Sequence, residues 1–268
     1  MTFVNLSLIR NTLFFFSFIC WQQLYAEIPT ILAERTRLIV DDNGSKKRGG
    51  KVSTEFPDNI KLRAQAGQWR RAEASSNIWR STWDGKGHVP VAAYHGFRVK
   101  NLVVEVTFRF GENTKPWHHQ CFRIAADYRP KITGHILSAW ANTDNDFIET
   151  GLLLQHIRKT PDKTILEDLL FDRQPLQLEP FEWHTAMLEI VEDEALFCLD
   201  GKFGYAQAEQ IRIPKNLVSI QTGGTWYEIK RVRIWEATLN PRWSERKASI
   251  LSNRNPFTPH VHHYVKPD

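Results

Sequence analysis

Cysteine is scarce: the 268 residues hold three, and one of them, Cys20, falls in an apolar N-terminal stretch. A disulfide-dense scaffold is therefore excluded. No apolar run approaches the roughly 20 residues that a membrane-spanning helix needs. No internal repeat of about 20–50 residues is present, which excludes propellers and solenoids. No stretch of about ten residues combines an apolar stripe of helical period with capping residues, so helices do not organise the chain. A Gly-rich phosphate loop, a Gly-x-Ser-x-Gly elbow and a Cys-x-x-Cys pair are also missing, and with them nucleotide, serine-hydrolase and dithiol chemistry of the familiar kinds.

A strong charge of one sign is lacking too. With Arg10 set aside as part of a leader, the 35 basic residues fall to 34 against 30 acidic ones, a net charge of +4. The one dense basic run, Lys46-Lys47-Arg48-Gly49-Gly50-Lys51, has no interleaved aromatics on which bases could stack. Nucleic acid is not an expected partner. What is present suffices for a folded core: 42% of residues are apolar and 12% aromatic.

Residues 1–26 have the form of an export signal, with Arg10 as the positive region, Leu13 to Cys20 as the apolar core and Leu24-Tyr25-Ala26 before a cleavage point at Glu27. The mature protein is expected to be exported, periplasmic or extracellular, with no membrane span. Residues 27–60 read as a basic polar segment, 61–238 as the folded domain, and 239–268 as a Pro- and His-rich tail. An oxidising compartment would permit a Cys121–Cys198 bridge, although both lie in apolar strand-like runs where buried thiols are also common.

From Asn101 the pattern is clear. Leu102, Val104, Val106, Phe108 and Phe110 alternate with Val103, Glu105, Thr107 and Arg109, the period of two that marks a strand with one buried face. Short runs of similar character follow at 119–125, 134–141, 147–157, 185–191, 195–199, 216–221 and 227–237. Turn residues separate them: Glu192-Asp193-Glu194, Asp200-Gly201 and Gly223-Gly224. Ile165 to Phe171 is open between a short helix and an extended connection. Many short strands with such turns predict an all-β fold, an antiparallel β-sandwich or jelly roll.

The last third reads Glu182-Trp183-His184-Thr185, Asp200-Gly201-Lys202, Ile213-Pro214-Lys215, Gly223-Gly224 and Val232-Arg233-Ile234-Trp235-Glu236-Ala237. In that order it resembles the concanavalin A-like jelly-roll domains of the 3-keto-glycoside hydrolase family and, more distantly, laminin G-like and family 16 glycoside hydrolase sandwiches. The resemblance covers residues 95–238. It implies a concanavalin A-like jelly roll, carbohydrate as the partner and, where the activity carries over, glycoside hydrolysis. The rival expectation is a noncatalytic glycan-binding or cell-surface adhesion module on the same fold.

Three acids within six residues, Asp144, Asp146 and Glu149, are the candidate catalytic set, because glycoside cleavage needs one carboxylate to attack or activate water and a second to protonate the leaving oxygen. Their spacing is that of the family 16 signature Glu-x-Asp-x-x-Glu, with Asp144 in the place of its first Glu. A hairpin turn and a Ca2+ site are the other two readings of the segment, and no cofactor beyond that possible Ca2+ is indicated. His135 opens the strand leading there and is a candidate acid or base. His118-His119 and the His260-Val261-His262-His263 tail lack an accompanying Cys or Glu at the spacing diagnostic of a transition-metal site. Of ten tryptophans nine follow the leader, Trp140 and Trp235 among them. Trp235 alternates onto one face with Arg231 and Arg233, either as a sugar-binding face or as an indole packed beneath arginines.

Overall fold

The computed structural model describes residues 28–44, 53–55, 59–83, 87–114, 120–129, 134–143, 150–159 and 165–265. The export signal and the segment 144–149 lie outside them. The chain divides by its contacts into Met1–Thr30 and Ile31–Asp268, and every described strand belongs to the second unit.

Its strands, in chain order, are β1 (Ala33–Asp42), β2 (Ser53–Glu55), β3 (Lys61–Ala66), β4 (Gln68–Arg71), β5 (Trp79–Thr82), β6 (Val91–Val99), β7 (Leu102–Phe110), β8 (Cys121–Asp127) and β9 (Gly134–Asn142). They continue as β10 (Gly151–Lys159), β11 (Ile165–Gln174), β12 (His184–Val191), β13 (Glu194–Leu199), β14 (Lys202–Gln207), β15 (Lys215–Thr222), β16 (Trp226–Leu239) and β17 (His260–Val265). An eight-stranded sheet runs β14-β13-β12-β7-β16-β5-β4 with β1 also on β16, and a nine-stranded sheet runs β17-β11-β10-β9-β8-β15-β6-β3-β2. Both are antiparallel, and the fold is an all-β jelly-roll sandwich.

The alternation in β7 sets the core. Leu102, Val104, Val106 and Phe108, with Leu188, Ile190, Val232 and Ile234 on neighbouring strands, are buried between the sheets as the period predicts. Phe108 of one sheet stacks on Phe122 of the other with centroids 3.9 Å apart and rings 7° from parallel. This stacked pair fastens the two layers at mid-strand.

The sandwich extends past both expected boundaries. Residues 27–60 contain β1, which pairs along β16 from Ala33↔Leu239 to Asp42↔Val232. Residues 239–268 contain α1 (Trp243–Ser252) and β17, which closes one edge of the nine-stranded sheet against β11. The segment 165–171, open between helix and strand, is extended within β11.

The Trp-His-Thr and Asp-Gly-Lys motifs meet. Asp200 and Gly201 both take positive φ, 48° and 79°, the mirror-image turn that matches the twist of a two-residue hairpin. Asp200 then accepts a hydrogen bond from His184 Nδ1 at 2.5 Å, while Nε2 faces the Glu179 carbonyl at 2.9 Å. Two acceptors suit the imidazolium. Burial by itself would lower the His184 pKa, but the bonds to Asp200 and the Glu179 carbonyl outweigh it and raise the pKa above 6.5.

Two measurements test the core and this hairpin. Phe108→Ala should cost about 3–5 kcal/mol in urea denaturation, the range for a large buried aromatic. The raised His184 pKa contributes stability that is fully present below pH 6.5 and lost as pH rises through the folded value. The Tm difference between the wild type and His184→Gln should therefore shrink as pH rises above 6.5.

Candidate functional site

On β8, Phe122, Ile124 and Ala126 point into the core, so Arg123 and Asp127 take the opposite, outer face of the nine-stranded sheet. Register carries this polar row across the neighbouring strands. Arg123 lies opposite Gln221 of β15 and Trp140 of β9, Ala125 lies opposite Ser219 and Ser138, and Ser138 lies opposite Gln155 of β10. Arg123, Asp127, Ser138, Gln155, Ser219 and Gln221 are each at most 4% exposed.

One end of the row is a relay. Asp127 Oδ1 accepts the Ile136 amide at 3.0 Å and Oδ2 accepts from His135 Nδ1 at 2.7 Å. Arg123 Nη2 donates to His135 Nε2 at 3.0 Å. A guanidinium can only donate, so His135 is the neutral tautomer with its proton on Nδ1. Burial first, and the Arg123 charge second, hold its pKa below 6.5.

The other end is apolar. Trp140 packs with Cys121, Leu153 and Leu170 under Phe257, and the Arg123 guanidinium lies 4.5 Å from the centroid of its ring. Between the two ends, polar atoms lack partners: Arg123 Nε, Ser138 Oγ, Gln155 Nε2 and Ser219 Oγ are buried without a hydrogen bond. Each such group costs about 1–3 kcal/mol unless water or ligand answers it. A cleft of about 510 Å3 reaches this face, lined by Asp127, His135, Ser219 and Gln221 with Arg129 and His88.

Among the described residues the sequence-derived candidates do not come together. Trp235, Arg231 and Arg233 lie on the eight-stranded sheet, whereas His135 and Trp140 lie on the nine-stranded one. Trp235 is 6% exposed, with the Arg35 and Arg233 guanidinia 4.4 and 4.9 Å from its ring, so it is an indole packed beneath arginines. Arg233 is buried on Glu105, and Arg231 binds Asp41 with two contacts of 2.8 Å. The cause is β1, which lies along β16 at these residues. Trp140 is packed rather than presented as a platform. Asp144, Asp146 and Glu149 lie outside the described residues. β9 runs from Gly134 to Asn142, which sets His135 at the opposite end from where that segment departs, about 23 Å along an extended strand. Both His135 nitrogens are engaged, which makes it a positioning residue. Among the described residues no group of three or more His, Cys, Asp or Glu could hold a metal ion, and no helix is long and apolar enough to cross a membrane.

Arg123, Asp127, Ser138, Gln155, Ser219 and Gln221 were not singled out by the sequence. The available signal was polar residues at alternate positions of an otherwise apolar strand, Cys121-Phe122-Arg123-Ile124-Ala125-Ala126-Asp127.

No protein-family description matches the chain, and no curated protein matches it. Among solved structures, the lectin UEA-II complexed with galactose is similar over 77% of this chain and 100% of its own, at 9% identity and a TM-score of 0.46. LamAcat from Zobellia galactanivorans is similar over 75% and 98%, at 14% identity and 0.44. Carbohydrate binding module CBM66 from Bacillus subtilis is similar over 67% and 94%, at 7% identity and 0.38.

The pairing on the eight-stranded sheet is open to test. Glu105→Ala strands the buried Arg233 and the half-buried Arg35 and should cost about 3–5 kcal/mol in urea denaturation. Arg37→Ala, at an exposed ion pair with Glu236 on the same strand pair, should stay within about 0.5 kcal/mol.

Proposed function

We propose that this chain is an exported carbohydrate-binding sandwich whose site is the polar outer face of the nine-stranded sheet. The observation that carries this reading is the row formed by the Ser138 and Ser219 hydroxyls, the Gln155 amide nitrogen and Arg123 Nε, each buried without a hydrogen bond, beside an open cleft that Ser219 lines. A sugar presents hydroxyls that both donate and accept, so one ring can answer several such groups together. Concave sites with a few convergent polar groups are where small ligands bind. Export rests on the form of residues 1–26, with Arg10, the apolar core and Ala26.

Hydrolysis, which the resemblance to 3-keto-glycoside hydrolases implies, needs two carboxyl groups about 5–9 Å apart with one available as an acid. On this face Asp127 is committed to His135 and the Ile136 amide.

The test is calorimetric titration against a panel of soluble glycans, with a hydrolysis assay on ordinary and 3-oxidised disaccharides beside it. Ser219→Ala with Gln221→Ala removes two groups that line the cleft and should weaken binding about 5- to 100-fold while Tm moves by only a few degrees. Unchanged affinity in the double variant would move the site elsewhere.

A further inference from the structure

Arg123 differs from Arg233, the other buried arginine, and from the half-buried ones. Arg233 and Arg35 share Glu105, Arg80 and Arg109 share Glu228, and Arg254 pairs with Asp172. Arg123 is 4% exposed, and among the described residues no carboxylate comes within ion-pair distance of it. Its described contacts are a donation to the neutral His135 ring and the face of Trp140. Nε has no partner. Burial without a bound anion pulls its pKa down to about 10, against the pull of the more distant Asp127, Cys121 and Asp168.

Asp127 cannot move in to help. Both its oxygens are taken, and the His135 ring stands between it and the guanidinium, so the imidazole acts as a spacer that orients Arg123 while keeping the protein's own carboxylate away. A buried cation left in this state is costly until an anion reaches it. The cleft brings a ligand to the two residues that flank Arg123: Gln221, directly across on β15, and His135. The approach is also positive. Arg129 lines the cleft, and Lys61 and Arg63 on β3 lower the pKa of His95 on the adjacent strand after the larger effect of its burial. Cations arranged around a cleft raise the local concentration of anionic ligands.

We propose that the sugar this cleft takes is acidic, a uronate whose carboxylate is received by the Arg123 guanidinium while its hydroxyls meet Ser219 and Gln221. The proposal rests on the carbohydrate reading of the site and names its substrate class. A planar carboxylate matches the guanidinium fork, and the bond is charge-assisted, whereas a neutral sugar leaves the buried cation unanswered.

The experiment titrates the full mature protein with oligosaccharides of polygalacturonate and of alginate, each in native form and after reduction of its carboxyl groups to alcohols, and with a sulfated galactan that carries no carboxylate. The native forms should bind at least about tenfold more tightly than their reduced counterparts. Arg123→Lys, which keeps the charge and loses the fork, should remove most of that difference with circular dichroism unchanged. If that variant does not fold, the wild-type comparison of native with reduced ligand decides by itself. Equal binding of native and reduced forms overturns the acidic-sugar assignment and leaves the carbohydrate reading standing. Binding of the sulfated galactan alone assigns Arg123 to sulfate and overturns the carboxylate. Binding of none of them overturns both readings.

Discussion

A buried charge must be answered, and Glu105 and Glu189 answer theirs in a way that fixes where a ligand can bind. Glu189 sits fully buried on β12 and accepts the backbone amides of Ile31, Leu32 and Ala33 at 2.8–3.0 Å. Burial pushes its carboxyl up to about 7 against the pull of those donors. Glu105 on β7 binds Arg35 of β1 and Arg233 of β16. Together they hold the start of the unit, Ile31 to Ala33, and the Arg35 side chain over the outer side of the eight-stranded sheet, with β1 itself paired beside β16. With β1 in place, Trp235 is roofed by Arg35, and the face that the alternation of β7 suggests is solvated becomes interior at Val103 and Glu105. That sheet is closed by its own residues.

The nine-stranded sheet obeys the same constraint with the opposite outcome. Its outer face also buries charge, yet the guanidinium at its centre faces a neutral imidazole, and hydroxyl and amide groups around it have no partners. Phe257 seals the Trp140 end, while the Asp127 and His135 end opens into the cleft. Of the polar residues that stay unanswered, Ser219 lines the cleft, and Arg123 lies directly behind two residues that do, His135 and Gln221. Rigid strands on both sides of Arg123 hold them in register, which is the pre-organisation that a binding site requires.

The fold was largely legible in the sequence because its signals are local. The alternation at Leu102–Phe110 and the Asp200-Gly201 turn state a strand and a hairpin without reference to anything distant. β1 was missed for the opposite reason: its partner β16 lies about 200 positions away, and Leu38-Ile39-Val40 is a weak signature among charged neighbours. The site was less legible still. Arg123 and Asp127 acquire meaning from registry with β9 and β15, and no spacing along the chain shows that His135 falls between them. Trp235 with Arg231 and Arg233 looked like a binding face because period two reveals which residues share a side, and not what lies over that side.

Cysteine scarcity sets the last constraint. Cys121 sits in the apolar cluster on the outer face of the nine-stranded sheet, Cys198 lies opposite Met187 in the eight-stranded sheet, and both are free thiols. The layers are therefore joined without a covalent tie, by the Phe108–Phe122 stack within and by the C-terminal segment outside. Glu194 of β13 receives Trp243 Nε1 and Lys247 of α1, which anchors the helix to one sheet. Arg254 then reaches Asp172 of β11, and Asn255 exchanges two hydrogen bonds with Gln174, which anchors the following turn to the other sheet. Phe257 comes next along the chain and lands on the Trp140 cluster. The same segment that staples the sandwich thereby closes the apolar end of the proposed site, so Arg123 is desolvated by residues whose position depends on the integrity of both sheets.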